Sequence, residues 1–313
     1  MDSSGILIYN PAAGAFNVKP VLPEILQALA LGGWQVELRQ THQPGDIGRF
    51  TTEAVQRGDN IVFIAGGDGS LNEAVNHLAH TNTALGVIPT GTSNVWARLV
   101  GMPMPLPWNL HKLVDGAKAL VDGCVRTVDL GLADQRYFLM WSGVGLDGEI
   151  ASVIEPKSTP VRKFGMLGYA AFVIAIAFRY RGVHMTIETE NHTYQTRSLL
   201  TVASNGGLYG GILRIAPQAV LDDGYLDVCI FRGENILQTL FHAAILLAGK
   251  AAKDPRAIMV RAQRIQVSSL RPCHVQVDGE PFIKTPVNIK VVPKALRVLL
   301  PPNTSAALFS TDC

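Results

Sequence analysis

The sequence predicts two domains in series, an α/β domain over residues 1–124 and an antiparallel β-sandwich domain over 125–288. Three observations lead there. At 313 residues the chain exceeds what one ordinary hydrophobic core organises, and 48% apolar with 17% charged residues is the make-up of packed globular protein. Up to residue 124, short apolar runs alternate with helix-periodic segments, the pattern of parallel strands joined by crossovers. Beyond it, β-rich runs follow one another, separated by Gly, Pro, Asn and Asp.

In the first domain ILIY at 6–9 reads as a buried strand, residues 21–31 as an apolar-periodic helix and WQVEL at 34–38 as a strand. An amphipathic helix at 46–57 and the strand IVFIA at 61–65 follow. LNEAVNHLA at 71–79 places Leu71, Ala74, Val75, Leu78 and Ala79 at helical spacings, and LGVIP at 85–89 is the next strand. Continuous apolar strands of this kind fit a sheet covered on both faces. In the second domain the strand candidates are RTVDLGLA, RYFLMWSG, HMTIETE, YQTRSLLTVASN, YLDVCIF, RIQVSS and CHVQVDG. The last stretch, VNIKVVPKALRVLLP, has no evident claim on either domain.

Composition narrows the function. Twenty-seven basic against twenty-five acidic residues leave a formal charge of +2, too near balance for the phosphate-neutralising surface of a nucleic-acid binder. Cys124, Cys229, Cys273 and Cys313 are far apart and form no CxxC pair, which points away from zinc and disulfides and towards a reducing, cytoplasmic setting. The start, MDSSGILIYNP, enters a strand-like run without the pattern of a secretory signal. Gly165 to Phe178, the most apolar run, is about 14 residues, short of the roughly 17–25 that cross hydrocarbon. Ile236 to Ala248 is also short and carries Gln238 and His242, so any membrane contact is expected to be peripheral.

The strongest chemical signal is IVFIAGGDGSLNE at 61–73, a buried strand running through Gly66, Gly67 and Gly69 into a helix. Such glycines let backbone amides approach an anion, and the helix start adds its dipole, which suits phosphate. Asp68 would repel that phosphate unless it faces a metal ion or an incoming hydroxyl, which points to phosphoryl transfer. The same residues also make a plain strand–helix turn with Asp68 as N-cap. LGVIPTGTSNVWARL at 85–99 repeats the design: Thr90, Thr92, Ser93 and Asn94 set donors around Gly91 at the carboxyl edge of the sheet, where open α/β sheets bind ligands. Ser93 and Asn94 equally suit a helix cap. YNPAAG ends the first strand at that edge with Asn10 and Gly14, and Thr41, after the second strand, can reach it. In the β-rich part Asp223-Gly224 and Asp278-Gly279 are hairpin-turn signals. Glu280, directly after the second, is placed to act as general base on an acceptor hydroxyl.

Taken in order, NPAAG at 10–14, GGDGSLNE at 66–73, GTSN at 91–94, GVGLDGEI at 143–150, APQAVLDDGYLDV at 216–228 and DGE at 278–280 resemble the catalytic domain of the diacylglycerol kinase family. That family takes in sphingosine kinases and the soluble bacterial lipid kinases. GGDG is shared with NAD kinases and phosphofructokinases, whereas the LDDGYLDV and DGE blocks favour lipid kinases. The resemblance covers nearly the whole chain. It implies an NAD kinase/phosphofructokinase-like α/β nucleotide-binding domain, a β-sandwich domain for the lipid acceptor, an active site in the cleft between them, and a return of residues 289–313 to the first domain. By motif, Asn10, Thr41, Gly66, Gly67, Asp68, Gly69, Ser70, Leu71, Asn72 and Thr92 would hold ATP, with Asp68 near the Mg-triphosphate. Glu280 would accept the proton, with Asp68 as the other candidate base. A structural Mg²⁺ or Ca²⁺ would sit on the Asp223 carboxylate and the main-chain oxygens of Val220 and Tyr225.

One departure bears on the acceptor. The family's frequent GTxNDFA reads GTSNVWA here, so Val95 and Trp96 stand where Asp and Phe are usual, which signals either a different head group or a variant with Trp96 in the core. The run Gly165 to Phe178, flanked by Arg162, Lys163, Arg179 and Arg181, suits a lipid cleft, an anionic membrane surface or a core helix. The function expected is Mg²⁺-ATP-dependent transfer of the γ-phosphoryl group to a lipid hydroxyl, diacylglycerol-like first, at the inner membrane face. An NAD kinase-like enzyme with a soluble acceptor and a non-catalytic nucleotide or lipid sensor are the rivals. A homo-oligomer stays open.

Overall fold

In a computed structural model, which describes residues 3–14, 17–154, 175–211 and 213–310, the apolar runs of the N-terminal part become the inner strands of a parallel sheet. Its order is β17 (Val287–Leu300), β4 (Ala84–Pro89), β3 (Ile61–Gly66), β1 (Ser3–Tyr9) and β2 (Trp34–Gln40). Register pairs Leu7 with Phe63 and with Leu38, and Leu85 with Val62 and with Val298. β3 and β4 are buried at every position, as strands covered on both faces must be, whereas edge strand β2 leaves Gln35, Glu37 and Leu38 to solvent. The cover is α1 (Leu22–Leu31) packed with α5 (Lys112–Val121), and α2 (Asp46–Arg57) packed with α3 (Asp68–Leu78).

Local chemistry sets the ends of these helices. Gly45 at φ 88° and Gly58 at φ 79° bracket α2 in the left-handed conformation that glycine adopts without strain. Asp46, the first residue of α2, accepts the amides of His42 and Gln43 at 2.8 and 3.1 Å, which fixes the approach of the chain. The Arg49 guanidinium and those amides hold its carboxyl down at about 2.

The β-rich part forms its own unit around β5 (Cys124–Ala133), β6 (Arg136–Phe138), β7 (Trp141–Gly145), β8 (Val183–Thr189), β9 (Thr193–Ser204), β12 (Leu226–Arg232), β13 (Ala257–Ala262), β14 (Arg264–Ser269), β15 (His274–Val277) and β16 (Glu280–Lys284). The short pair β10 (Leu208–Tyr209) and β11 (Leu213–Arg214) makes a separate ribbon. β9 shows how the layers arise: its first half pairs with β8 and its second half with both β7 and β12, all antiparallel. A strand that changes partners midway turns a corner and lets inward residues from different strands face one core. Phe138, Ile187, Val228, Ile265 and Val275 meet there, each at most 2% exposed. Among the described residues the unit also carries the helices α6 (Leu146–Ile154) and α7 (Ile236–Leu247).

Unit 1 comprises Met1–Leu130, Val220–Asp223 and Val292–Cys313, and unit 2 comprises Gly131–Ala219 and Gly224–Val291. The divisions thus fall at 130/131 and 291/292 rather than at 124/125 and 288/289, because β5 and β17 are unbroken strands whose two ends belong to different units. The C-terminal stretch does return to unit 1, where β17 runs parallel to β4. Composition cannot mark a boundary inside a continuous strand. Of the apolar run Gly165 to Phe178, the part up to residue 174 lies outside the described residues, as do Arg162 and Lys163. Among the described residues no helix is long and apolar enough to cross a membrane, and no disulfide joins Cys124, Cys229 or Cys273.

Candidate active site

At the carboxyl edge of the unit 1 sheet three of the residues selected from the sequence, Asn10, Thr41 and Ser70, meet in one network centred on Asn10. Its backbone N–H continues the β1–β3 ladder to the Ala65 carbonyl at 3.0 Å, which locks the residue just past the strand end. Its side-chain amide then donates to Ser70 Oγ at 3.0 Å and accepts from the Ala12 amide at 3.0 Å and from Thr41 Oγ1 at 3.4 Å. Three strand-end loops are thereby tied together by one asparagine.

The two glycine loops are packed backbone to backbone. A Cβ on Gly91 would lie 2.4 Å from the Gly67 Cα and 2.7 Å from Asn94 Oδ1, and one on Gly14, at φ 74°, would lie 2.0 Å from the Thr90 carbonyl oxygen. No side chain fits these positions, so amides approach one another as a cradle for an anion requires. Gly67 is the N-cap of α3, and Asp68 begins the helix rather than capping it. The Asp68 carboxylate instead accepts the Val95 amide at 2.8 Å, the first residue of α4 (Val95–Leu99). Asn94 holds its own loop, accepting the Gly91 amide at 2.9 Å and donating to the Gly91 carbonyl at 2.7 Å.

Burial sorts the candidates. Gly67, Asp68, Gly69 and Asn10 are half-buried and Thr92 is exposed, whereas Leu71 and Asn72 are 3% and 1% exposed. The Leu71 amide is used within the turn, donating to Gly67 O at 3.1 Å, so Leu71 serves the frame. Thr90 Oγ1 is buried without a protein hydrogen-bond partner, a state that costs about 1–3 kcal/mol and favours a site that takes a polar ligand. Trp96 is 1% exposed and Val95 2%, which makes the Trp96 side chain part of the core.

In unit 2, Glu280 opens β16 at the end of a two-residue hairpin in which Asp278 and Gly279 have φ of 48° and 87°, the geometry of a type I′ turn. The Asp278 carboxylate is 7% exposed and accepts three amides, from Leu139, Met140 and Trp141, at 2.8, 2.9 and 3.0 Å. That anchors the turn and leaves Glu280 one residue beyond it, one-third exposed and paired with the Arg136 guanidinium. The Gly279 amide donates to Gln276 Oε1 at 2.6 Å, and Gln276 Nε2 donates in turn to Asp147. Burial pushes the Asp147 carboxyl up to about 6, against hydrogen bonds from Tyr209 and Gln276 that pull it down. A carboxyl so tuned exchanges protons near neutral pH.

Asp147 and Gln276 carried no role in the sequence analysis. Asp147 lies in GVGLDGEI, but a carboxylate after a short strand is an ordinary helix start until its burial is known. Asp223-Gly224, by contrast, closes no hairpin, because β12 pairs with β9 and β13 and Val220–Asp223 belong to unit 1. Asp223 and Val220 are half-buried, Tyr225 stacks under Arg261 at 4.7 Å, and neighbouring Asp222 takes the Ser310 amide at 2.6 Å. One carboxylate with main-chain oxygens is a donor set that suits a hard cation. Among the described residues no group of three or more His, Cys, Asp or Glu forms a metal cage.

Two family models match the chain. Residues 4–133 match the diacylglycerol kinase catalytic domain, and residues 143–300 match the YegS C-terminal NAD kinase beta sandwich-like domain. A diacylglycerol kinase of Bacillus subtilis strain 168 is 29% identical over 276 residues, 88% of either chain. One of Staphylococcus haemolyticus strain JCSC1435 is 28% identical over 300 residues, 94% of this chain and 87% of its own. A crystal structure of a candidate diacylglycerol kinase from Bacillus anthracis str. Sterne superposes with a TM-score of 0.80 at 24% identity, covering 97% of this chain and 99% of that one, a likeness of fold.

Proposed function

The chain belongs to the diacylglycerol kinase catalytic-domain family and is a lipid kinase, and we propose that it transfers the γ-phosphoryl group of ATP to the hydroxyl of a diacylglycerol-like lipid. The observation that carries the ATP half is the Asn10 network, which gathers Thr41 and Ser70 beside the Gly67–Gly91 backbone contact. The loop amides of Gly67, Asp68 and Gly69 would receive the phosphates, since the first amides of a helix have no partner within it. Asp68 would hold a Mg²⁺ that came with the nucleotide, and that ion would neutralise the phosphate oxygens.

The proton half rests on Glu280. In the proposed step Glu280 takes the acceptor's hydroxyl proton, the acceptor oxygen forms its bond to the γ-phosphorus, and the bond from that phosphorus to the bridging oxygen breaks to release ADP. The I′ turn holds the Glu280 backbone, and the Arg136 guanidinium pairs with its carboxylate and orients it. A structural Mg²⁺ at Asp223 is a separate part of the proposal and would brace the turn before β12.

The test follows label from γ-labelled ATP into the organic phase of mixed lipid vesicles, with Glu280→Gln beside wild type. Wild type is expected to label a diacylglycerol-like lipid, and the variant to lose about 100- to 10,000-fold in kcat with ATP affinity unchanged. Equal losses in turnover and in ATP affinity would remove the base role from Glu280. Label in a soluble acceptor and in no lipid would overturn the proposed acceptor.

A further inference from the structure

Helix α7 carries its apolar face outward. Leu237, Leu240, Phe241 and Leu247 are 74, 53, 43 and 65% exposed, and Ala244 and Ala248 are exposed beside them. At 3.6 residues per turn these six positions fall on one arc of roughly 120°. The opposite arc faces the protein: Leu246 and His242 are buried, and the His242 ring meets the Asp254 carboxylate at 2.5 Å and the Arg232 carbonyl at 2.9 Å. Asn235 caps the helix by accepting the Gln238 amide at 3.1 Å. Both ends and the inner face are fixed, so the outward stripe is a built surface. It has no charged residue from Ile236 to Leu247.

Cations collect at its C-terminal end. Lys250, Lys253 and Arg256 are exposed and, among the described residues, have no carboxylate partner, while Asp254, the one acid among them, is 6% exposed and held by His242. At the other end the nearest acid, Glu234, is already paired with Arg197 at 3.2 Å. An apolar helical face bordered by unpaired cations complements an anionic bilayer, whose acyl boundary takes the leucines and phenylalanine while its headgroups meet the lysines. A second copy suits it less. A 12-residue helix is about 18 Å long, and a stripe roughly 10 Å wide covers far less than the ~800 Å² per partner of a stable dimer.

We propose that α7 is the surface by which this protein docks onto anionic lipid bilayers, Leu237, Leu240, Phe241 and Leu247 entering the interface and Lys250, Lys253 and Arg256 binding headgroups. The proposal rests on the lipid-kinase function for the use of docking, but the contact itself is measurable without turnover. In flotation, wild type is expected to rise with equimolar phosphatidylglycerol–phosphatidylcholine vesicles and not with phosphatidylcholine alone. Leu240→Gln/Phe241→Gln, which alters only exposed positions, should lose at least tenfold in partitioning. Lys250→Gln/Lys253→Gln should lose roughly thirtyfold at low salt, at about 1 kcal/mol per cation near an anionic surface. Turnover of a short-chain diacylglycerol in detergent micelles should match wild type in both variants. Undiminished flotation of both variants would overturn the proposal. So would a concentration-dependent dimer in sedimentation velocity that Leu240→Gln/Phe241→Gln abolishes, since that gives the face to a second copy. Flotation lost in the variants although wild type phosphorylates no lipid would sustain docking and overturn the acceptor instead.

Discussion

The glycine loops of unit 1 and the Asp278–Glu280 hairpin of unit 2, the two turns proposed to act in phosphoryl transfer, are built from different material. In the loops the working surface is backbone: Gly67 lies against Gly91, Gly14 against Thr90, and side chains such as Asn10 and Asn94 brace the amides. In the hairpin the working groups are side chains, and a chain of them runs from Asp147 through Gln276 to the turn that presents Glu280. Backbone sites need absence of bulk, and side-chain sites need a buried partner for each polar group. The two should therefore fail differently when altered.

The largest effect is expected at Asp278. Asp278→Ala strips three buried amides of a charged acceptor, which should cost roughly 3–5 kcal/mol in urea unfolding and move Glu280 with it. A loss below about 1 kcal/mol would mean that water replaces the carboxylate and that the hairpin is not side-chain built.

Asp147 tests the same region through pH. Its folded value of about 6 lies above the ordinary 3.8, so the stability linked to its neutral form is complete below 3.8 and is lost as pH rises through 6. Asp147→Asn keeps the neutral shape. It should equal wild type below pH 3.8 and exceed it above pH 6 by up to roughly 3 kcal/mol in thermal or urea melts. A constant difference at every pH would contradict a titrating Asp147.

The loops should show the opposite pattern. Gly91→Ala drives a Cβ against the Gly67 Cα, expected to cost about 1–3 kcal/mol of overpacking and about tenfold in ATP affinity, with no pH dependence. Calorimetric titration with ATP beside a melt separates the two. Smallest is Asp46→Asn on α2. The Asp46 carboxyl lies below its ordinary range, so its stabilisation is present above pH 3.8 and lost as pH falls through about 2. Wild type and variant should differ slightly at neutral pH and converge in strong acid, as followed by circular dichroism.

Much of the molecule was legible from residues alone. Continuous apolar runs marked β1, β3 and β4 and a 3.6-residue period marked α2, because an inner strand covered on both sides or an amphipathic helix has surface that must leave water. Glycine spacing at 66–69 and 91 marked the loops, since only glycine permits such backbone approach. Asn10, Thr41 and Ser70, named from three separate loops, share one hydrogen-bond network.

Other features were decided only by the fold. Asp222, Asp223, Asp278 and Asp147 are the same residue type beside glycine or a turn, and nothing in the sequence tells the Asp278 anchor from the Asp147 carboxyl at about 6 or from the half-buried Asp223. A carboxylate's role follows from which amides and cations surround it and how much water remains, and those neighbours come from segments 129 to 139 residues away. For the same reason the run Ile236 to Ala248 showed only that it is apolar and too short to span a membrane: composition sets how many leucines it has, and only the packing of His242 and Leu246 inward decided that the others face outward.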